Sequence, residues 1–299
     1  MTDAPDPAID IDGAVAVITG GAGGIGKGIV KALLAGGATV VIADIEQGAI
    51  DAAVAELAPL GQVSGWQTDV SDFASVEALA NHVYDTHGRC TLLFNNAGVT
   101  SGGGGKPWQQ ESNDWKWCFG VNVFGVAHCV SAFVPRMIEG GEPGHITNTS
   151  SGDGGFAPVP TASVYAASKA AVSCFSEALQ HQLIREETAL RASVFYPSGG
   201  LMNTGLFTAQ RNRPEELQRV RGGTGRKSMT FDELKTMLEK AGREVEVADL
   251  DELGRFVIDG VKERRYIIAH NLDDTAELLQ SRAEAIAQAA LPPCHDMGI

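Results

Sequence analysis

The chain has 299 residues, 44% of them hydrophobic, and a formal net charge of −14. That length suits one large α/β domain or two small ones, and the apolar fraction is enough for a substantial core. The acidic balance disfavours binding to a phosphate backbone and so argues against a nucleic-acid partner.

Residues 1–12, MTDAPDPAIDID, have no basic start and no apolar stretch, so they read as a flexible arm and not as a secretion signal. No run of eighteen apolar residues follows, and no membrane span is expected. Short β-branched runs then recur at 15–19, 39–43, 63–68, 91–94, 145–149, 192–195 and 266–269. Between them lie segments with helical periodicity, among them 25–35, 49–57, 76–84 and 166–183. Strand–helix alternation with strands apolar throughout predicts an α/β fold. It is a doubly wound, Rossmann-type parallel sheet with helices on both faces. Residues 13–299 then form a single catalytic domain.

The alternation breaks near residue 198 and resumes near 245. The intervening 199–244 carries Arg211, Arg213, Arg219, Arg221, Arg226 and Lys227, then a helical pattern over 231–240. An excursion of that length after a late strand is expected to be a substrate lid, with Gly199, Gly200, Gly205, Gly222, Gly223 and Gly225 as hinge positions. A helical tail is expected over about 272–299. The five cysteines, Cys90, Cys118, Cys129, Cys174 and Cys294, form no C-x-x-C pair, which fits a reducing, cytoplasmic compartment. The seven histidines are dispersed, so no metal site is expected.

Chemistry enters at the strand ends. After the first strand comes TGGAGGIG, whose Gly20, Gly24, Ile25 and Gly26 open a helix. Glycines there let the backbone approach a pyrophosphate, whose charge sits at the helix N-terminus. The second strand ends at Asp44, placed to accept hydrogen bonds from the ribose hydroxyls of NAD and to repel the extra phosphate of NADP. No Arg or Lys directly follows it to neutralise that phosphate. Asp69 and Val70 close the third strand, and Asn96, Ala97 and Gly98 follow the fourth, where ligands bind in open parallel sheets. In VYAASKAA, Tyr165 and Lys169 share a helix face, so the ammonium is expected to lower the phenol's pKa and ready it for proton exchange with an alcohol.

TGGAGGIG, Asp69-Val70, NNAG, GVNVFG, TNTSSG and YAASK stand in the order found in short-chain dehydrogenases/reductases, and over about residues 13–204 the chain resembles that family. The resemblance implies a catalytic tetrad of Asn122, Ser151, Tyr165 and Lys169. Tyr165 would be the acid/base, Lys169 would hold the nicotinamide ribose, Ser151 the substrate oxygen and Asn122 a relay water. Adjacent Ser150 and Ser151 face opposite sides of a strand, and the family commonly uses the second. The resemblance also implies NAD as cofactor, nicotinamide contacts from Pro197 and Thr204, and a homodimer or homotetramer paired through the helices that carry Asn122 and Tyr165. Three features depart from the family pattern: one extra residue between Ser151 and Tyr165, Pro197-Ser198 in place of Pro-Gly, and the added length after Pro197.

VPRMIEGGEPGHI and RYIIAH are similar to segments of bacterial members that oxidise bulky benzylic or cyclic alcohols, including Cα-dehydrogenases of aryl ethers. The expected substrate is therefore a bulky, hydrophobic secondary alcohol or ketone (aryl, cyclic or steroid-like), with Ser151, Phe156, Tyr165, Met202 and Phe207, and also Trp108, around it. Another carbonyl class, such as 3-oxoacyl substrates, and a non-catalytic dinucleotide sensor are the alternatives.

Overall fold

The computed structural model describes residues 8–101, 105–221, 229–270 and 272–295. Residues 1–7 of the expected arm, residues 102–104, Gly222, Gly223, Gly225, Arg226 and Lys227 of the excursion, and residues 296–299 of the expected tail lie outside them.

Seven parallel strands form one sheet in the order β3-β2-β1-β4-β5-β6-β7: β1 (Val15–Thr19), β2 (Thr39–Asp44), β3 (Val63–Gln67), β4 (Leu92–Asn95), β5 (Gly144–Thr149), β6 (Leu190–Phe195) and β7 (Ile267–Ile268). Between them run α1 (Gly24–Ala35), α2 (Gln47–Leu57), α3 (Phe73–His87), α4 (Ser112–Phe119), α5 (Gly125–Gly140), a single turn α6 (Gly152–Gly155) and α7 (Ser163–Arg185). Then come α8 (Phe231–Lys240), α9 (Leu250–Lys262) and, after β7, α10 (Leu272–Ala287).

The period of two along each strand divides the core. Ala16 and Ile18 face α1, α2 and α9, packing with Ile29, Leu33, Ile50 and Val257. Val15 and Val17 face α3 and α5, packing with Val76, Leu79, Phe133 and Met137. On the first face α1 and α9 cross backbone to backbone: a Cβ on Gly28 would stand 2.0 Å from the Leu250 carbonyl oxygen, and one on Gly254 2.2 Å from that of Gly28. The strand order reverses between β1 and β4, which opens the crevice where ligands bind in such sheets.

Two expectations change, and one long apolar helix finds its place in the core. The arm is docked from its eighth residue onward, because Ile9 and Ile11 are buried in the α1/α9 core and the Ile9 amide donates to the Lys262 carbonyl at 3.2 Å. Ser112–Gly140 is one continuous helical run with a mean hydropathy of 1.6 over its most apolar window, long and apolar enough on those counts to cross a bilayer. Half of that window is buried, and Trp117, Cys118, Cys129, Phe133 and Met137 place its apolarity inside the fold. In the excursion, residues 205–221 are fixed by charge. Asp114, fully buried on α4, pairs with buried Arg213 at 3.0 Å and with Arg219 at 3.1 Å. The excursion's ends are stitched by a parallel bridge between Leu201 and Val247.

Candidate active site

The crevice is a cleft of about 880 Å³ above the C-terminal ends of β1, β2, β4 and β5. The glycine turn forms its floor at one end. Gly20 has φ +63, and a Cβ on Gly26 would stand 2.1 Å from the Gly20 carbonyl oxygen, so the turn closes only with glycine at these positions. Gly24 lies under Thr204, whose Cβ would be 3.2 Å from an added Cβ, and Ile25 packs on the core beneath. Asn96 ties the turn to β4: its Nδ2 donates to the carbonyls of Thr19 and Gly20 at 3.2 and 3.3 Å. The Asn96 and Ala97 amides donate to Thr19 Oγ1 at 3.0 and 3.1 Å.

Asp44 accepts from the amides of Ala22 and Glu46, each at 3.3 Å, and burial raises its pKa against those bonds. Asp69 accepts from the amide and hydroxyl of Ser71, and Val70 is buried with its carbonyl on His128. A cation absent from the neighbouring sequence does reach this end: Arg211, on the Gly205–Asn212 turn, pairs with Glu46.

Asn122 sits in a single π-helical turn, Gly120–Phe124, between α4 and α5. Such turns re-aim one side chain inside an otherwise regular helix. The Asn122 side chain is wholly engaged: Oδ1 accepts from the Val99 amide at 2.8 Å, and Nδ2 donates to the Val99 carbonyl at 3.0 Å and to Ser168 Oγ at 2.9 Å. Its side chain therefore braces the β4 loop against α7.

The adjacent serines diverge. Ser150 is buried and donates to the Lys169 carbonyl at 2.8 Å, while Ser151 lines the cleft beside Tyr165 and accepts from the Asp153 amide at 3.2 Å. Lys169 is buried, its Nζ 2.8 Å from the Thr149 carbonyl and 5.8 Å from the centre of the Tyr165 ring. Burial pushes the Lys169 ammonium down to about 8. Tyr165 departs from expectation: burial raises its pKa, and the neighbouring Ser151 hydroxyl opposes that. Spacing puts Lys169 and Tyr165 on one face but does not reveal the loss of solvent, and here that loss dominates.

Pro197, Met202, Thr204 and Phe207 line the cleft, and Met229, Leu234 and Met237, the last two on α8, close its apolar end. Phe156 does not line it; its ring packs on Tyr196 at 4.3 Å. Trp108 is 77% exposed and also stands off the cleft. Two contributions escaped the sequence reading. A buried relay, Asn95 Nδ2 to Asn148 Oδ1 at 2.8 Å and Asn148 Nδ2 to Ser176 Oγ at 2.9 Å, pins β4, β5 and α7 together. His295, far along the chain, returns to the site: its amide donates to the Pro158 carbonyl at 3.0 Å and its ring lies 3.4 Å from Asp153. Among the described residues, no group of three or more His, Cys, Asp or Glu is placed to hold a metal ion.

A family model described as short chain dehydrogenase matches residues 14–215. The chain is 38% identical over 208 residues to C alpha-dehydrogenase of Sphingobium sp. strain SYK-6, spanning 69% of this chain and 66% of that protein, just under two thirds. It is 34% identical over 219 residues to 1-deoxy-11-beta-hydroxypentalenate dehydrogenase of Streptomyces avermitilis, spanning 73% and 77%. A solved short chain dehydrogenase/reductase from Burkholderia phymatum, in complex with NAD, superposes with a TM-score of 0.84 at 35% identity, over 96% of this chain and 99% of that one. With its parallel sheet, its glycine turn and its Ser151–Tyr165 pair beside Lys169, the chain belongs to the short chain dehydrogenase family of oxidoreductases.

Proposed function

We propose that the protein is an NAD-dependent dehydrogenase or ketoreductase. It would move hydride between NAD(H) and the carbinol or carbonyl carbon of a bulky, hydrophobic secondary alcohol or ketone. The observation that carries this reading is one cleft with two unlike ends that meet at Ser151, Tyr165 and Lys169. One end is glycine and carboxylate; the other is apolar.

The residues at the first end fit a dinucleotide. Gly98 lines the cleft beside Asn122 and Lys169, and at Gly20 and Gly24 the glycine turn leaves no side chain between the backbone and the cleft. Gly20, Gly24, Ile25 and Gly26 would hold the pyrophosphate, and Asp44 the adenosine ribose. Asp69, Val70, Asn96, Ala97 and Gly98 would line the adenosine and ribose path, Lys169 would hold the nicotinamide ribose, and Pro197 and Thr204 would hold the carboxamide. When bound, NAD supplies the carbon that accepts or returns hydride.

The chain's own part is proton handling and positioning. Ser151 donates to the substrate oxygen and aligns it with Tyr165. The Tyr165 hydroxyl gives its proton to a ketone oxygen, or as phenolate takes one from an alcohol. Burial favours the phenol, the form that protonates a ketone, so alcohol oxidation should gain rate as pH rises into the alkaline range. Met202, Phe207, Met229 and Met237 give the apolar end soft, adaptable walls, suited to aryl or cyclic groups. The α8 helix acts as the moving part of the lid over 199–244, and the protein works as a homodimer or homotetramer through α5 and α7; light scattering showing a monomer at micromolar concentration would exclude the latter.

Tyr165→Phe tests the assignment. It should abolish turnover while leaving NAD affinity nearly unchanged. Retention of more than about a tenth of the wild-type rate, a barrier change of about 1.4 kcal/mol, would refute it.

A further inference from the structure

Glu46 stands at the N-cap of α2, yet its side chain does not cap that helix. Its Oε1 instead accepts from three donors on the far side of the cleft: Arg211 Nε at 3.0 Å, Arg211 Nη2, and Asn212 Nδ2 at 2.8 Å. Arg211 is held ready for this. Its Nη1 is spent on the Gly205 and Thr208 carbonyls at 3.2 and 3.0 Å and on Thr208 Oγ1 at 2.8 Å, which aims the Nε–Nη2 edge at Glu46. The Glu46 amide meanwhile donates to Asp44, and Asp44, Glu46, Arg211 and Asn212 line one end of the cleft.

Three N–H donors converging on one anionic oxygen form an anion site, and the protein fills it with its own carboxylate. A guanidinium edge matches phosphate as well as it matches carboxylate. We propose that Glu46 is a second cofactor-selecting residue, which masks an Arg211–Asn212 site able to take the 2′-phosphate of NADP. The proposal rests on the cofactor reading above, which puts the adenosine ribose at Asp44. With Glu46 in place, Arg211 is neutralised and the remaining charge at this corner is the carboxylate of Asp44, so a 2′-phosphate meets repulsion and a ribose diol does not. Without Glu46, Arg211 presents an unopposed edge beside the same ribose. The Arg211 and Glu46 side chains are 44% and 34% exposed, and a pair so open to water contributes little to folding. Replacing either residue should therefore leave the fold intact.

The test is calorimetric titration of adenosine 2′,5′-bisphosphate and of 5′-AMP, which differ by the 2′-phosphate alone, into wild type, Glu46→Gln and Glu46→Gln/Arg211→Met. In Glu46→Gln the affinity for the bisphosphate relative to 5′-AMP should rise at least about tenfold, the worth of one charge-assisted hydrogen bond. Adding Arg211→Met should remove that gain. An unchanged ratio in Glu46→Gln, or a gain that survives Arg211→Met, overturns the proposal. NAD titrated into wild type separates the two readings: no NAD binding defeats the cofactor assignment itself, whereas NAD binding with an unchanged ratio in Glu46→Gln defeats only the masking role.

Discussion

Replacing Lys169 by Met should make the protein more stable at pH 7 while removing its activity. Lys169 is 3% exposed, and burial lowers its ammonium from the ordinary 10.5 to about 8. At about 1.4 kcal/mol per tenfold change in proton affinity, keeping that ammonium charged inside the fold costs about 3 kcal/mol. Met is close to Lys in shape and needs no proton. The substitution also strips the Thr149 carbonyl of the Lys169 Nζ bond at 2.8 Å, a loss of about 1 kcal/mol. The net gain is about 2 kcal/mol, or about 3 °C in Tm for a chain of this length. Its pH dependence has a definite sign. The unfolded chain holds the Lys169 proton up to about 10.5 and the folded chain only to about 8, so the penalty is fully present below pH 8 and fades as pH rises through that window. Thermal unfolding of both proteins, followed by circular dichroism, should show the gap at pH 7 and its closure by about pH 9.5. A variant less stable than wild type at pH 7, or a gap of constant size across the window, would refute the argument.

Asp44 leads to a preference for NAD over NADP in kcat/KM, and Asp44→Asn should narrow it by about tenfold through loss of one charge-assisted hydrogen bond; a wild-type preference for NADP would exclude this role. Arg213→Met leaves fully buried Asp114 with Arg219 as its one ion-pair partner among the described residues, and should cost about 3 kcal/mol in denaturant unfolding; a loss below about 1 kcal/mol, the range of an exposed pair, would mean that the ion pair does not anchor residues 205–221. Hydrogen exchange should find 205–221 protected in the free protein, and α8, which has no fully buried residue, exchanging quickly until NAD and a substrate analogue are added. Strong protection of α8 from the start would make it a fixed part of the wall.

The features legible in the sequence are those whose cause is local. Strands buried on both faces are largely apolar, so β1 and β2 could be read as runs such as VAVIT. The turn from Gly20 to Gly26 announces itself because a Cβ would collide there, and four residues on a helix bring Tyr165 and Lys169 to one face. What stayed hidden depends on the folded whole. The phenol's pKa follows burial, which spacing does not encode. Glu46 and Arg211 are 165 residues apart, and nothing in either neighbourhood names the other. The π turn at Asn122 has no residue signature, since GVNVF would serve equally well in a regular helix. Phe156 lies close to Ser151 in the chain, but its ring packs on Tyr196 and away from the cleft.

The bridge between Leu201 and Val247 closes the excursion upon itself: the Leu201 amide donates to the Glu246 carbonyl at 2.8 Å, and the Ala248 amide to the Leu201 carbonyl at 3.1 Å. The barrel of the key is therefore separate from its bit. Whatever chain lies between those two residues, its ends leave and rejoin the body of the fold at one bridge, and the entropy of closing a longer loop grows only with the logarithm of its length. The roof of the pocket can thus be lengthened or reshaped between these residues while β6 and α9 stay in place, provided that Arg213 and Arg219 still meet buried Asp114 and Thr204 is kept. A transplant cut at Leu201 and Val247 would carry a relative's substrate preference onto this proton-transfer machinery.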